Sequence, residues 1–106
     1  MPRHLTTRPE WEDAIRGGTK TIDARLATDD VADLRTGEHV SYPGARVQVR
    51  RIRYYPGFRD LLQHENWRAI APDATDADEL LRLLEGGHEA TVAASGAVAI
   101  EIERLS

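Results

Sequence analysis

The chain has 106 residues, of which 30% are charged, and a formal net charge of -4 at neutral pH, values typical of one small globular domain. An acidic balance argues against a general polyanion-binding surface, although it is compatible with a local basic site. There is no cysteine, which excludes disulfides and thiolate chemistry, and no apolar run approaches the ~20 residues of a membrane-spanning helix. We therefore expect a single domain over residues 1–106. The N-terminus lacks the apolar region of a signal peptide, so we expect the protein in the cytoplasm.

The first predicted helix covers residues 8–16. Thr7 is a candidate N-cap, Pro9 suits the first turn, and Glu10 follows the cap by three residues, as in a capping box. Gly17 and Gly18 predict the end of the helix, because glycine adopts the left-handed conformation found just beyond a helix C-terminus.

A strand is predicted over residues 19–26, where even-numbered residues are mostly apolar and odd-numbered ones polar. Asp23 and Arg25 then belong to the outer face. Lys20 is the only lysine among 14 basic residues, the other 13 being arginine. Its parity favours the inner face, but it lies at the entry to the strand, where the turn can redirect it, so the sequence leaves its direction open.

The middle of the chain predicts a short helix over 29–35, a strand over 38–42 and a long strand over 46–55. Apolar parity changes within the long strand. A bulge near residues 50 and 51 would bring all four apolar residues to the core side, namely Val47, Val49, Ile52 and Tyr54.

The remaining elements are a helix from Phe58 to about Glu65, an irregular segment over 67–72, a helix opened by Asp76 and stopped at residues 86–87, a loop over 88–96 and a final strand over 97–105. Strands separated by short helices indicate an α+β fold, with a small sheet or barrel and helices packed at its ends.

Lys20 is the strongest candidate for chemistry. Burial or a neighbouring cation such as Arg25 lowers a lysine pKa and makes the amine a base or nucleophile, whereas Asp23 raises that pKa. The alternative is a surface ion pair worth less than ~1 kcal/mol. For Asp23 we expect an orienting role, because a carboxylate beside a cation is a poor base near neutral pH.

The strand over 46–55 combines arginine with tyrosine, a mixture that suits phosphate contacts and base stacking in RNA. The alternative is ion pairing with Glu101 and Glu103 of the last strand. Glu79 is either a catalytic acid or base, or the third residue of a capping box opened by Asp76. Trp67 is a better candidate for a cleft than Trp11. The four histidines have no metal-ligand spacing, so we expect no metal and no cofactor.

Several of these segments resemble the ASCH domain, a branch of the PUA-like superfamily. The resemblance extends from about Trp11 to Glu103. Its main signature comprises Ile15, Gly18, Lys20, Thr21, Ile22, Arg25 and Leu26. Further matches are residues 37–40, residues 50–62 and residues 97–101.

The resemblance implies a small PUA-like β-barrel with short flanking helices and a cleft lined by the lysine-bearing stretch. It also implies RNA or nucleotide binding. One subgroup hydrolyses N4-acetylcytidine with a lysine, a threonine three residues later and a glutamate on a later helix. By position these are Lys20, Asp23 in place of the threonine, and Glu79.

Three hypotheses follow. The first is a domain that binds RNA or a nucleotide-like small molecule through Lys20, Arg25, Arg50, Arg53, Tyr54 and Trp67. The second is a hydrolase of the same fold acting on N4-acylated cytidine or RNA, with Lys20, Asp23 and Glu79 as catalytic residues. The third is a protein-interaction module that uses its acidic helices around residues 73–79.

Overall fold

A computed structural model describes residues 2–28, 31–86 and 95–105. These ranges contain five strands and four helices. In chain order they are β1 (Arg3–His4), α1 (Pro9–Gly17), β2 (Ile22–Leu26), β3 (His39–Tyr42), β4 (Ala45–Tyr55), α2 (Phe58–His64), α3 (Trp67–Ile70), α4 (Ala77–Glu85) and β5 (Ala97–Arg104).

The strands form one curled sheet, a half-barrel, in the order β1-β3-β4-β5-β2. Neighbouring strands are antiparallel, except that β1 runs parallel to β3. The outermost strands, β1 and β2, do not pair with each other. This is the small barrel-like α+β architecture that the sequence predicts.

Two apolar clusters lie against this sheet. The first contains residues of β3, β4 and β5 together with Ile15 of α1. The second joins α2, α3 and α4 to β2 through residues such as Phe58, Leu61 and Leu80. Residues of β5 belong to both clusters, and residues 97–100 are all buried, so this strand is covered on both faces.

The predicted bulge in the long strand is confirmed, with a register shift between Val49 and Arg51. Val47 and Val49 are buried, and Ile52 packs against the same cluster. The prediction for Tyr54 is wrong, because this side chain is 57% exposed. Tyr54 lies one residue before the end of β4, where its parity no longer guarantees cover from neighbouring elements.

The first helix starts differently from the prediction. Arg8 is the N-cap, and no side chain caps the helix. Pro9 holds Arg8 in an extended conformation, which takes the cap position away from Thr7. The Thr7 N–H instead donates to Glu12, and Glu10 pairs with Arg8.

Three further segments differ from the expectations. Residues 31–33 form a turn and residues 34 and 35 have no regular structure, where a helix was expected, and residues 29 and 30 lie outside the described ranges. The segment predicted to be irregular contains α3, which Asn66 caps by accepting from the Arg68 N–H. Strand β1 was not predicted, because two residues carry no detectable pattern. The predicted loop over 88–96 falls mostly outside the described residues.

Candidate functional site

The turn between α1 and β2 places Lys20 inside the protein. Gly18 ends α1 with a φ of +82°, and the N–H groups of Thr19 and Lys20 both donate to the Ala14 carbonyl. Strand β2 then begins only at Ile22. Lys20 therefore precedes the strand, and strand parity does not fix the direction of its side chain.

Lys20 is only 2% exposed, and backbone carbonyls hold its ammonium. Nζ donates to the Ile22 carbonyl at 2.7 Å and to the Ile70 carbonyl of α3, and it lies 4.9 Å from the centroid of the Trp11 ring. Two carbonyls and an aromatic face thus replace water around the charge. This environment is not the exposed ion pair that was the alternative from sequence.

Burial lowers the pKa of Lys20 from 10.5 to about 8. Asp23 and Asp73 oppose that change and Arg25 adds to it, as the sequence predicts for Asp23 and Arg25. With such a pKa, roughly a tenth of the molecules carry a neutral amine near pH 7, and a neutral amine can act as a base or nucleophile.

The carboxylate that interacts with Lys20 from beyond α3 is Asp73. Glu79 has a structural role at the start of α4. Its N–H donates to the Asp76 side chain at 2.8 Å, and its own carboxylate accepts from the Thr75 N–H at 3.1 Å. The structure thus gives Glu79 the capping interactions that were the alternative to catalysis, whereas Asp73 is exposed.

Asp23 is 1% exposed and belongs to a buried polar cluster. Its Oδ2 accepts from the Tyr42 hydroxyl at 2.5 Å and lies 3.2 Å from Nε of Arg25. Arg25 also donates through Nη2 to the Thr6 carbonyl at 2.7 Å. Burial and the Asp23 charge raise the pKa of Tyr42 far above its usual range. Because β2 and β3 are not neighbours in the sheet, these side chains connect two strands whose backbones are not hydrogen-bonded to each other.

A cleft of about 540 Å³ opens where β2 separates from the end of β5. Its wall includes Lys20 and Thr21 on one side and Glu101 to Arg104 on the other, with Arg50 of the β4 bulge. Arg50 is exposed, and within the described ranges its side chain makes no hydrogen bond or ion pair. We call this the Arg50 cleft. It offers a guanidinium to a ligand without the loss of an existing contact.

Arg53 does not line this cleft, and its guanidinium is held by two carboxylates. It forms two hydrogen bonds with Glu65, at 2.6 and 2.8 Å, and a third with Glu101 at 3.2 Å. The Tyr55 hydroxyl donates to the same Glu65 carboxylate. The guanidinium of Arg53 lowers the pKa of Glu65. For Arg53, therefore, the alternative from sequence, pairing with acids such as Glu101, is confirmed.

The predicted site residues do not lie in one cleft. Lys20 and Arg50 share the Arg50 cleft, whereas Arg25 lines a separate groove beside Trp11, and Asp23 lines neither. Trp67 is half-buried, with the Arg68 guanidinium 4.5 Å from its ring centroid. Tyr54 and Trp67 also line neither the Arg50 cleft nor the groove beside Trp11.

Sequence reasoning overlooked three residues of these clusters. Tyr42 carries no signal of this role in the sequence, and only the tertiary contact shows its hydrogen bond to Asp23. Glu65 was assigned only to a helix end. The sequence places Asp73 only in the acidic segment over 73–79, and no local pattern links it to Lys20.

Solved structures resemble this chain over nearly its whole length. The crystal structure of hypothetical protein PH0355 matches with a TM-score of 0.90 and 26% sequence identity, over 99% of this chain and 100% of that one. The solution NMR structure of protein PF0455 from Pyrococcus furiosus matches with a TM-score of 0.84 and 28% identity, over 100% and 99% of the two chains. No protein-family model matches the chain, and no curated protein matches it.

Two further observations concern the described residues alone. None of their helices is both long and apolar enough to cross a membrane. They contain no group of three or more histidine, aspartate or glutamate side chains placed to hold a metal ion.

Proposed function

We propose that this chain is an ASCH-type, PUA-like domain that binds RNA or a nucleotide-like ligand in the Arg50 cleft. The observation that carries the proposal is the exposed guanidinium of Arg50 beside the Lys20 stretch, in a cleft of about 540 Å³. That volume suits a nucleotide, and an arginine without a partner in the described residues suits its phosphate. The sequence signature around Lys20 and the barrel-like fold support the family assignment.

The role of Lys20 in this proposal is to shape the cleft and to set its electrostatic potential. Its ammonium is bonded to two carbonyls and does not need to contact the ligand directly. Arg50 is the principal ligand contact. Arg53 is excluded from this role because Glu65 and Glu101 already occupy its guanidinium.

An NMR titration with short single-stranded RNA and with cytidine 5′-monophosphate tests the proposal. We expect amide shifts along Gly18 to Thr21 and along residues 101–104. Arg50→Ala should weaken binding by roughly tenfold, since a charge-assisted hydrogen bond contributes about 1.5 kcal/mol or more. Arg51→Ala is the matched control, because Arg51 is also exposed in β4 but does not line the cleft. Equal losses in both variants, or no shifts with either ligand, would reject the proposal.

A hydrolase acting on N4-acylated cytidine or RNA is the second candidate function. It is favoured by one observation, the burial of Lys20, which lowers the pKa of its amine, with Asp73 as an opposing carboxylate. In this function Lys20 is the base, and Asp73 rather than Glu79 is the nearby carboxylate. Asp23 is the residue in place of the subgroup's threonine, and its carboxylate is already occupied by Tyr42 and Arg25. The interaction-module hypothesis has less support, because Asp76 and Glu79 cap α4.

A chromatographic assay with N4-acetylcytidine and with structured and unstructured RNA distinguishes the two functions. Turnover that is lost in Lys20→Met and reduced in Asp73→Asn supports the enzyme. Glu79→Gln is the control and should retain turnover. Saturable binding without turnover rejects hydrolysis of these substrates and leaves the binding function.

A further inference from the structure

Some backbone groups on the outer edge of β2 have no hydrogen-bond partner in the described part of the chain. Thr21 accepts from Ile102 of β5, and Ala27 donates to Gly96 just before β5. Thr21 and Ala27 are both odd-numbered, so the odd-numbered residues of β2 direct their backbone groups toward β5. Because backbone groups of successive strand residues point to opposite sides, the N–H and C=O groups of Ile22, Ala24 and Leu26 point away from β5. Among residues 2–28, 31–86 and 95–105 no strand lies on that side, since β2 is the last in the order.

Lys20 donates a hydrogen bond to only one backbone acceptor on this edge, the Ile22 carbonyl. For Ala24, the next edge residue, neither the N–H nor the C=O has a hydrogen-bond partner in the described part of the chain. Ala24 is only 4% exposed. A buried donor and acceptor without partners are costly and are usually satisfied by water or a ligand.

A groove of about 270 Å³ is lined by residues of this strand. Ala24 and Leu26 form part of its wall, with the apolar side chains of Trp11, Phe58 and Leu83. We call it the β2-edge groove. Leu83 is 37% exposed there, which is unusual for a leucine among the described residues.

Two guanidinium groups, those of Arg8 and Arg25, also line the β2-edge groove. The Arg8 side chain is 47% exposed, and its ion pair with Glu10 is an exposed one. Such a pair contributes little, so an incoming carboxylate can replace Glu10 at small cost. The groove is therefore largely apolar, is lined by two guanidinium groups and adjoins an edge residue, Ala24, whose backbone groups have no partner in the described part of the chain.

We propose that the β2-edge groove binds an extended peptide segment that adds a strand to β2, with an apolar side chain in the groove and an acidic residue next to Arg8. The segment would accept from the Ala24 N–H and donate to the Ala24 carbonyl. This is the chemistry of β-strand addition, in which the backbone supplies affinity and pockets for alternate side chains supply specificity. The site is separate from the Arg50 cleft and does not depend on nucleotide binding there.

Amide hydrogen exchange of the free protein tests whether the Ala24 N–H lacks a partner. The Asp23 and Arg25 amides, which face β5, should exchange at least roughly tenfold more slowly than the Ala24 amide. Equal protection of Ala24 would show that its N–H has a partner or is closed to solvent, and either result would overturn the proposal before any ligand is added.

An NMR titration of the full chain with the amide-capped peptide acetyl-Val-Leu-Glu tests the partner. We expect the Ala24 amide proton to move downfield and the Leu26 amide to shift with it. The amide-capped peptide acetyl-Val-Leu-Lys should bind roughly tenfold more weakly, because its charge matches that of Arg8 and Arg25. A depsipeptide that replaces the central amide N–H by an ester oxygen should lose roughly fivefold in affinity.

Leu83→Glu should abolish the peptide-induced shifts. Leu105→Glu is the matched control, since Leu105 is 38% exposed and lies outside the groove. An Ala24 amide that does not move at millimolar peptide overturns the proposal. So does an Ala24 amide that moves with cytidine 5′-monophosphate and not with the peptide, which would assign the groove to a nucleotide. Arg50→Ala can lose nucleotide binding without changing any of these peptide results, so the two proposals are tested separately.

Discussion

Lys20→Met removes a buried charge, and its effect on stability should depend strongly on pH. The Lys20 pKa is about 8 in the folded protein, compared with 10.5 for an ordinary lysine. Below pH 8 the group is protonated in both the folded and unfolded states. Between pH 8 and 10.5 the folded protein has already released the proton while the unfolded chain still binds it. Folding stability therefore rises with pH in this window.

The magnitude follows from the size of the pKa difference. A decrease of about 2.5 units corresponds to about 3 kcal/mol of unfavourable free energy at neutral pH, which is relieved completely only above pH 10.5. Between about pH 7 and about pH 9.5 the expected gain in stability is about 2 kcal/mol. The upper limit avoids the tyrosine range, because Tyr42 and Tyr55 have raised pKa values and reduce stability at higher pH.

Urea unfolding followed by circular dichroism measures this gain. The wild-type protein should become about 2 kcal/mol more stable relative to Lys20→Met between about pH 7 and about pH 9.5. Subtracting the variant removes the contribution of every other titrating group. Independently, the Cε and Nζ resonances of the single lysine should titrate with a midpoint near 8. A stability difference that does not change with pH, or a midpoint above 10, would refute the reasoning.

Three other substitutions test the polar clusters and one turn. Glu65→Ala should destabilise the protein by about 2 kcal/mol, because it leaves Arg53 and the Tyr55 hydroxyl without their shared carboxylate, whereas exposed Glu103→Ala should change the urea midpoint little. Tyr42→Phe should reduce stability by about 1 to 3 kcal/mol, since it removes a hydrogen bond to buried Asp23, and an unchanged melting temperature would show that this bond contributes nothing. Gly96→Ala should lower the stability of the protein more than Gly18→Ala. Both glycines have positive φ, but a Cβ at Gly96 would lie 2.8 Å from the Tyr55 carbonyl oxygen, whereas a Cβ at Gly18 would meet open space. Equal decreases in melting temperature would contradict this steric argument.

Local pattern was enough to predict much of the framework. The strand over 46–55 and its bulge follow from an apolar parity that changes once, because strand side chains alternate with a fixed period. The helix opened by Asp76 follows from its capping residues, whose hydrogen bonds join neighbours in the chain. The end of α1 at Gly18 follows from the left-handed conformation that glycine favours.

The boundaries of short elements were not predictable in the same way. Strand β1 has two residues, and α3 has four, so neither presents a full period of any pattern. Thr7 and Arg8 compete for one cap position, and the restriction that Pro9 imposes on its predecessor decides between them. Tyr54 has the parity of the core but lies at the end of its strand, where exposure depends on neighbours distant in sequence.

The sequence by itself determined the fold class, the position of the long strand and the prominence of Lys20 and Asp23. Only the tertiary structure decided what those residues contact. The Lys20 ammonium bonds to Ile70, 50 residues away, and Asp23 bonds to Tyr42 on a strand that is not its neighbour. The physical reason is that hydrogen bonds and desolvation depend on distance in space. Sequence spacing limits those distances only within one element, and the curl of the sheet sets the others.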